Sequence, residues 1–175
     1  GFKTVTGKVE FDSQELREQG YDGLPVYQEP QESPVSTPEL FKQYPLVLTT
    51  GGRQKYFTHS QQHNIANLLD YDPKPRIQIH PNDAAIRDIE QGDAVTVSSP
   101  RGEVVFYAEV TDRMKCGVVH CFHGWNEANI NELTDDTSLD AISGFPAFKS
   151  LLCEVEAVGR RTRNEGEICA YSQVM

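Results

Sequence analysis

Between residues 46 and 158 the chain is a succession of short apolar or alternating runs, each ended by glycine, proline or aspartate before it reaches helical length. Leu46-Val47-Leu48-Thr49-Thr50 stops at Gly51-Gly52, and Arg76-Ile77-Gln78-Ile79-His80 alternates and stops at Pro81-Asn82-Asp83. Ala94-Val95-Thr96-Val97-Ser98 turns at Pro100-Arg101-Gly102 into Glu103 to Val110, and Val118-Val119 and Leu151 to Val158 add two further runs. A period of two with β-branched side chains places one face of each run in a core. Several such strands separated by turns support a small β-barrel over a helical bundle. At 175 residues and 38% hydrophobic, the chain has material for one such core.

Helices in this pattern are short and peripheral. Thr37-Pro38-Glu39-Leu40-Phe41 offers a proline near a helix start, Pro81-Asn82-Asp83 begins another helix, and Ser60 can cap one carrying Ile65, Leu68 and Leu69. Upstream, Thr6-Gly7 reads as a turn. Val9 and Phe11 then share one face opposite Lys8 and Glu10, which predicts a short hairpin or edge strand. Residues 21–45 hold five of the ten prolines and no persistent period, so they are expected to wrap or link. Residues 159–175 lose the strand order and read as an arm or tail.

A formal charge of -10 argues against a broad nucleic-acid or anionic-membrane surface, but it leaves room for one phosphate site. No run approaches the roughly 20 apolar residues that cross a bilayer. The first residues lack the apolar stretch of a signal peptide. The chain opens on Gly1 rather than Met, as expected of a piece of a longer product, so the compartment, cytoplasmic or exported, rests on what precedes it. Cys116, Cys121, Cys153 and Cys169 permit three pairings, but a core of this size needs none, and free or buried thiols are expected.

Gly51-Gly52 lets a ligand approach the backbone closely, and Arg53 can fork onto phosphate oxygens; the same residues also suit a plain tight turn and a solvated arginine. His59 and Ser60 stand before the expected helix, where Ser60 is either an ordinary cap or part of an anion site. Trp125 beside Gly124 reads as core or as a platform for a flat heterocycle. Asn129 and Asn131 share a side, either facing a base edge or capping a loop. No GxGxxG, GxxxxGK[ST] or G-x-S-x-G motif is present, and no catalytic or metal-ligating set is assigned.

The ordered combination of several blocks resembles a known family. These are Phe2-x-Thr4-x-Thr6-Gly7-Lys8-Val9-Glu10-Phe11, Tyr44 through Arg53, Tyr56-Phe57-Thr58-His59-Ser60, Ile79-His80-Pro81-x-Asp83-Ala84 and Gly92-Asp93-x-Val95-x-Val97. They continue in Val118-Val119, Gly124-Trp125, Asn129-Ile130-Asn131-x-Leu133-Thr134 and Ser143-Gly144-x-Pro146-x-Phe148-Lys149. Together they resemble the C-terminal molybdopterin dinucleotide-binding domain of the dimethyl-sulfoxide-reductase superfamily of molybdopterin oxidoreductases.

The resemblance implies a six-stranded double-psi β-barrel at residues 44–158, a strand and proline-rich arm at 1–43 and a tail at 159–175. It implies cofactor contacts from Thr50, Gly51, Gly52, Arg53, His59, Ser60 and Trp125, with Asn131, Phe148 and Lys149 at an opposite edge. The implied cofactor is bis-molybdopterin guanine dinucleotide carrying molybdenum or tungsten. A [4Fe-4S] cluster and the metal ligand would lie on other domains of the same subunit, and an iron–sulfur electron-transfer subunit would be a further partner. The isolated chain would then be inactive. Asp88-Ile89 replaces the family's usual Gly-Ile, and aspartate tolerates a left-handed turn. Asn126-Glu127 replaces an aromatic and Pro-Glu, which alters the expected substrate funnel. A different class of function, an acidic barrel that binds a protein partner, draws on the charge of -10 and the proline-rich arm.

Overall fold

The computed structural model describes residues 1–159. Six strands form: β1 Leu46–Thr49, β2 Arg76–Ile79, β3 Ala94–Ser99, β4 Gly102–Val110, β5 Val118–Cys121 and β6 Leu151–Ala157. Four short helices accompany them, α1 Gln14–Glu18, α2 Pro38–Phe41, α3 Ala66–Leu69 and α4 Pro81–Ile86, with a 3-10 turn at Ile130–Leu133. The strands close into a barrel in the order β1-β5-β2-β4-β3-β6. The pairs β1–β5 and β2–β4 are parallel, while β1–β6, β2–β5, β3–β4 and β3–β6 are antiparallel. Closure gives every strand two neighbours, so no barrel strand is left with an open edge.

Alternation fills the interior. Ile77 and Ile79 of β2, Val95 and Val97 of β3, Phe106 of β4 and Val119 and Cys121 of β5 all point into one core with Leu46, Leu48, Leu151 and Val155. Successive side chains on a strand take opposite faces, so one inward residue fixes every second one. Asp83 is the buried polar exception in α4, and its Oδ2 accepts the backbone N–H of Gly117 at 2.7 Å just before β5. Asp88 has φ 51, so this position does require the left-handed turn that aspartate tolerates.

The arm is tied down at Glu32. Glu32 receives Arg101 on both carboxylate oxygens, at 2.6 and 3.0 Å, and also accepts the backbone N–H of Leu152 in β6. Ser150 Oγ donates to the Glu32 carbonyl at 2.8 Å. Glu32 thereby holds the proline-rich segment against the turn after β3 and the start of β6. The expected helix at Pro38 forms as α2.

Three expectations fail. Residues 2–11 form turns and bends rather than a hairpin or strand: Gly7 N–H donates to Thr4 O at 3.1 Å, and Val9 and Phe11 are exposed, because no barrel edge remains to accept another strand. Ser60 caps no helix, since α3 starts at Ala66 and residues 59–64 are turns and a bridge, with His59 at φ 54 and Gln62 at φ 75. Cys121 and Cys153 are free and buried as expected, whereas Cys116 is disulfide-bonded. The expectation of an arm or tail falls on residues 160–175 outside the described residues.

Glu32→Ala leaves Arg101 without its carboxylate and Leu152 N–H without its acceptor. We expect a loss of about 3 kcal/mol, as for other broken, largely buried ion pairs, with earlier cleavage of the first 43 residues in limited proteolysis. Urea unfolding and a protease time course check both.

Candidate functional site

β1 delivers its last residues to one barrel end, and Thr50 bonds to two further chain segments there. Its N–H donates to Phe148 O at 2.8 Å, its Oγ1 donates to Cys121 O at 3.0 Å, and its own carbonyl accepts from Lys149 Nζ at 3.1 Å. The exit of β1, the exit of β5 and the loop entering β6 are thus held together around one buried threonine. A short β-branched residue suits the place, because its hydroxyl reaches a neighbouring carbonyl without further chain to order.

The two glycines that follow are glycines for different reasons. Gly51 has φ 84, a conformation that side chains resist. Gly52 is constrained by space, since a Cβ there would stand 2.5 Å from His120 Nε2. His120 lies beside Thr49 across the β1–β5 pair, with its Nδ1 2.9 Å from Thr49 Oγ1 and its ring edge-on to Phe122.

A second imidazole pair closes the other wall. His59 Nδ1 is 2.7 Å from His123 Nε2, so one proton is shared between them. Gly124, at φ 106, admits the loop, because a Cβ there would stand 2.3 Å from the His59 carbonyl oxygen. Burial lowers the His123 pKa, followed by the charges of His59 and Arg53. Burial also lowers that of His120, with Lys149 and then His123 adding to it. Both rings therefore stay neutral to lower pH than an ordinary histidine.

Thr50, Gly51, Gly52, Phe148 and Lys149 converge as described. Phe148 and Lys149 lie directly against the β1 exit, not at an opposite edge as the resemblance implied, because Thr50 bonds to both residues. Arg53, His59 and Ser60 are exposed. Neither Arg53 nor Lys149 pairs with a carboxylate among the described residues, whereas Arg17, Arg76, Arg87 and Arg101 all do. Asn131 is exposed on the 3-10 turn, which Ser99 and Arg101 fasten through the Leu133 carbonyl at the β3–β4 turn. Asn129 caps that turn, its side chain accepting Asn131 N–H at 3.3 Å. Trp125 is core: it is 4% exposed and packs edge-on to Phe57 and His63 at 5.8 and 4.5 Å.

Two residues beside the site were not singled out for it from the sequence. His120 was not among the expected contacts, although its outward place between Val119 and Cys121 was readable from the alternation. Gln54, next to Arg53, is 5% exposed with neither amide atom bonded to a described residue, and no local pattern announces it. Away from this end, ligand atoms of His80, Asp83 and Cys116 lie within 4.8 Å of one another. Each is already engaged: His80 Nδ1 accepts Asn82 N–H, Asp83 accepts Gly117 N–H, and Cys116 is disulfide-bonded. This cluster joins α4 to the entry of β5 and has no thiolate to give a metal.

Two glycines, two cations without carboxylate partners and two histidines thus gather at one end of a closed barrel. Residues 46–152 match the family described as Molydopterin dinucleotide binding domain, and the chain belongs to that family. It is related to the C-terminal domain of the dimethyl-sulfoxide-reductase superfamily of molybdenum and tungsten oxidoreductases. It is 33% identical over 124 residues to acetylene hydratase of Syntrophotalea acetylenica, covering 71% of this chain and 17% of that protein. It is 38% identical over 118 residues to the F420-dependent formate dehydrogenase subunit alpha of Methanocaldococcus jannaschii, covering 67% of this chain and 17% of that protein. The solved acetylene hydratase from Pelobacter acetylenicus superposes with a TM-score of 0.79 at 28% identity, over 88% of this chain and 24% of that one. The chain thus spans only 17% of the length of either curated relative. No helix among the described residues is long and apolar enough to cross a membrane.

Two measurements test this geometry. Gly124→Ala meets a backbone oxygen and Gly52→Ala a movable ring, so Gly124→Ala should cost more, roughly 1–3 kcal/mol of strain, seen as the larger fall in Tm. For the histidines, the unfolded chain takes up protons below 6.5 that folded His120 and His123 still refuse. Stability should therefore be fully present above 6.5 and fall as pH drops from there toward the lowered folded pKa values. Urea midpoints across that interval check the sign, and His120→Phe should flatten the slope.

Proposed function

We propose that this domain binds and positions molybdopterin guanine dinucleotide for a molybdenum or tungsten oxidoreductase of which it forms the C-terminal part. The observation that carries the reading is local: in a chain of charge -10, Arg53 and Lys149 stand together without a carboxylate partner among the described residues, at a turn of two glycines. Backbone N–H groups and unpaired cations are what a pyrophosphate requires. The residues present fit the group. The side-chain-free backbone of Gly51 and Gly52 faces it, Arg53 and Lys149 neutralise it, and His59, Ser60, Asn131 and Phe148 border it. Trp125 acts from the core by seating Phe57 and His63. When bound, the cofactor supplies the redox centre, and the chain's residues hold and orient it and moderate its charge.

On this reading the cofactor is the bis form, and a [4Fe-4S] cluster and the metal ligand sit on the other domains of the same subunit. Those domains are the first partner, and an iron–sulfur electron-transfer subunit is a second. Residues 1–43 serve as the arm, 44–158 as the gripping unit and 159–175 as a tail, while the chain alone is inactive. The barrel, with its two parallel pairs interleaved by antiparallel ones, is of the double-psi kind. The short span relative to the similar hydratase and dehydrogenase supports a larger parent.

In the full subunit, Arg53→Ala should release cofactor, since a hydrogen bond to a charged group contributes about 1.5–3 kcal/mol. Lys149→Ala should weaken retention or shift the metal potential. Metal and pterin content together with circular dichroism decide it. Wild-type occupancy in a folded Arg53→Ala subunit would remove the cradle, and unfolding would make Arg53 a structural residue.

A further inference from the structure

His120 goes beyond the expected contacts, and its chemistry can be argued from its neighbours. Thr49 has one hydroxyl proton and two candidate acceptors: Val119 O at 3.2 Å and His120 Nδ1 at 2.9 Å. The carbonyl can only accept, whereas the ring nitrogen can also donate. If Thr49 gives its proton to Val119 O, both contacts become hydrogen bonds only when His120 Nδ1 carries the ring proton. Nε2 is then a bare lone pair. Among the described residues it has no hydrogen-bond partner, and it stands directly over Gly52, where a Cβ would lie 2.5 Å away. Burial and the nearby Lys149 charge keep the ring neutral, so the lone pair persists at neutral pH.

The rest of this barrel end offers mainly donors and positive charge: Arg53, Lys149 and the N–H groups of the glycine turn. An anion alone would have no use for an acceptor among them. We infer that His120 Nε2 accepts a hydrogen bond from an N–H or O–H of the ligand laid along Gly51-Gly52, making the site selective for a nucleotide over a bare phosphate. Thr49 is the positioning residue that sets the tautomer, and Gly52, lacking a Cβ, admits the ring beside the glycine turn. This rests on the cofactor reading above and names a contact within it.

The test uses the 175-residue chain with guanosine diphosphate and inorganic pyrophosphate as probes, each titrated by calorimetry, and nitrogen NMR of the histidines. Wild type should show His120 with Nδ1 protonated and Nε2 bare, with Nε2 shifting on addition of guanosine diphosphate. His120→Phe keeps an aromatic ring against Phe122 and should weaken guanosine diphosphate about tenfold, as for one lost hydrogen bond, with pyrophosphate unchanged. Thr49→Val should mix the tautomers and weaken guanosine diphosphate less. A ring protonated on Nε2, or equal losses for both probes, or no loss for either, overturns the role of His120 and leaves the phosphate cradle standing. Uptake of neither probe by wild type overturns both readings.

Discussion

Thr50 is the fastening on which the site depends. Barrel closure aligns the exits of β1 and β5 with the entry of β6, but alignment alone leaves three loops free to part. Through its N–H, hydroxyl and carbonyl, Thr50 engages Phe148, Cys121 and Lys149 in turn. Because the threonine is 2% exposed, those bonds are shielded from competing water. The relative positions of Gly51, Gly52, Phe148 and Lys149 are therefore set by one buried residue whose N–H, hydroxyl and carbonyl are all engaged by neighbouring chain.

The charge distribution follows the same division of labour. An excess of carboxylates, 26 against 16 basic residues, could neutralise every cation on the surface. Three of the paired arginines join separate elements: Arg101 holds the arm, Arg87 links α4 to Glu154 of β6, and Arg76 joins Asp72 to Glu109 of β4. Arg53 and Lys149, like Lys55, Lys74 and Arg113, have no carboxylate partner among the described residues.

Much of the barrel was legible because period-two alternation is a strong local signal. Arg76–Ile79 and Ala94–Ser99 show in the structure the in-and-out burial that their sequences predict. Val9 and Phe11 carry the same alternation and form no strand, because strand pairing is a property of the neighbour and the closed barrel has no edge to offer. The glycines were recognised as turn formers, yet the reason for Gly52 lay beyond local reading, since His120 is distant in the chain. Phe148 and Lys149 were identified as site residues and assigned to the wrong edge. Only the register Leu48 to Leu151 across β1 and β6 brings them to the β1 exit.

Ser60 failed as a helix cap for a related reason: the segment from Gly51 to Ile65 answers to its surroundings more than to its own propensities. It contains left-handed residues at Gly51, His59 and Gln62, a backbone pressed against Gly124, and the buried amide of Gln54 without a bonded partner among the described residues. Each is unfavourable by itself, since strained φ values and unpaired buried amides both cost stability. The closed barrel around Leu48, Val119 and Leu151 can carry that cost, because its own strands are fully paired. Strain and unmet polarity thus recur along this loop and at His123 and Trp125, which pack against it, while the strands themselves stay consistent from sequence to core.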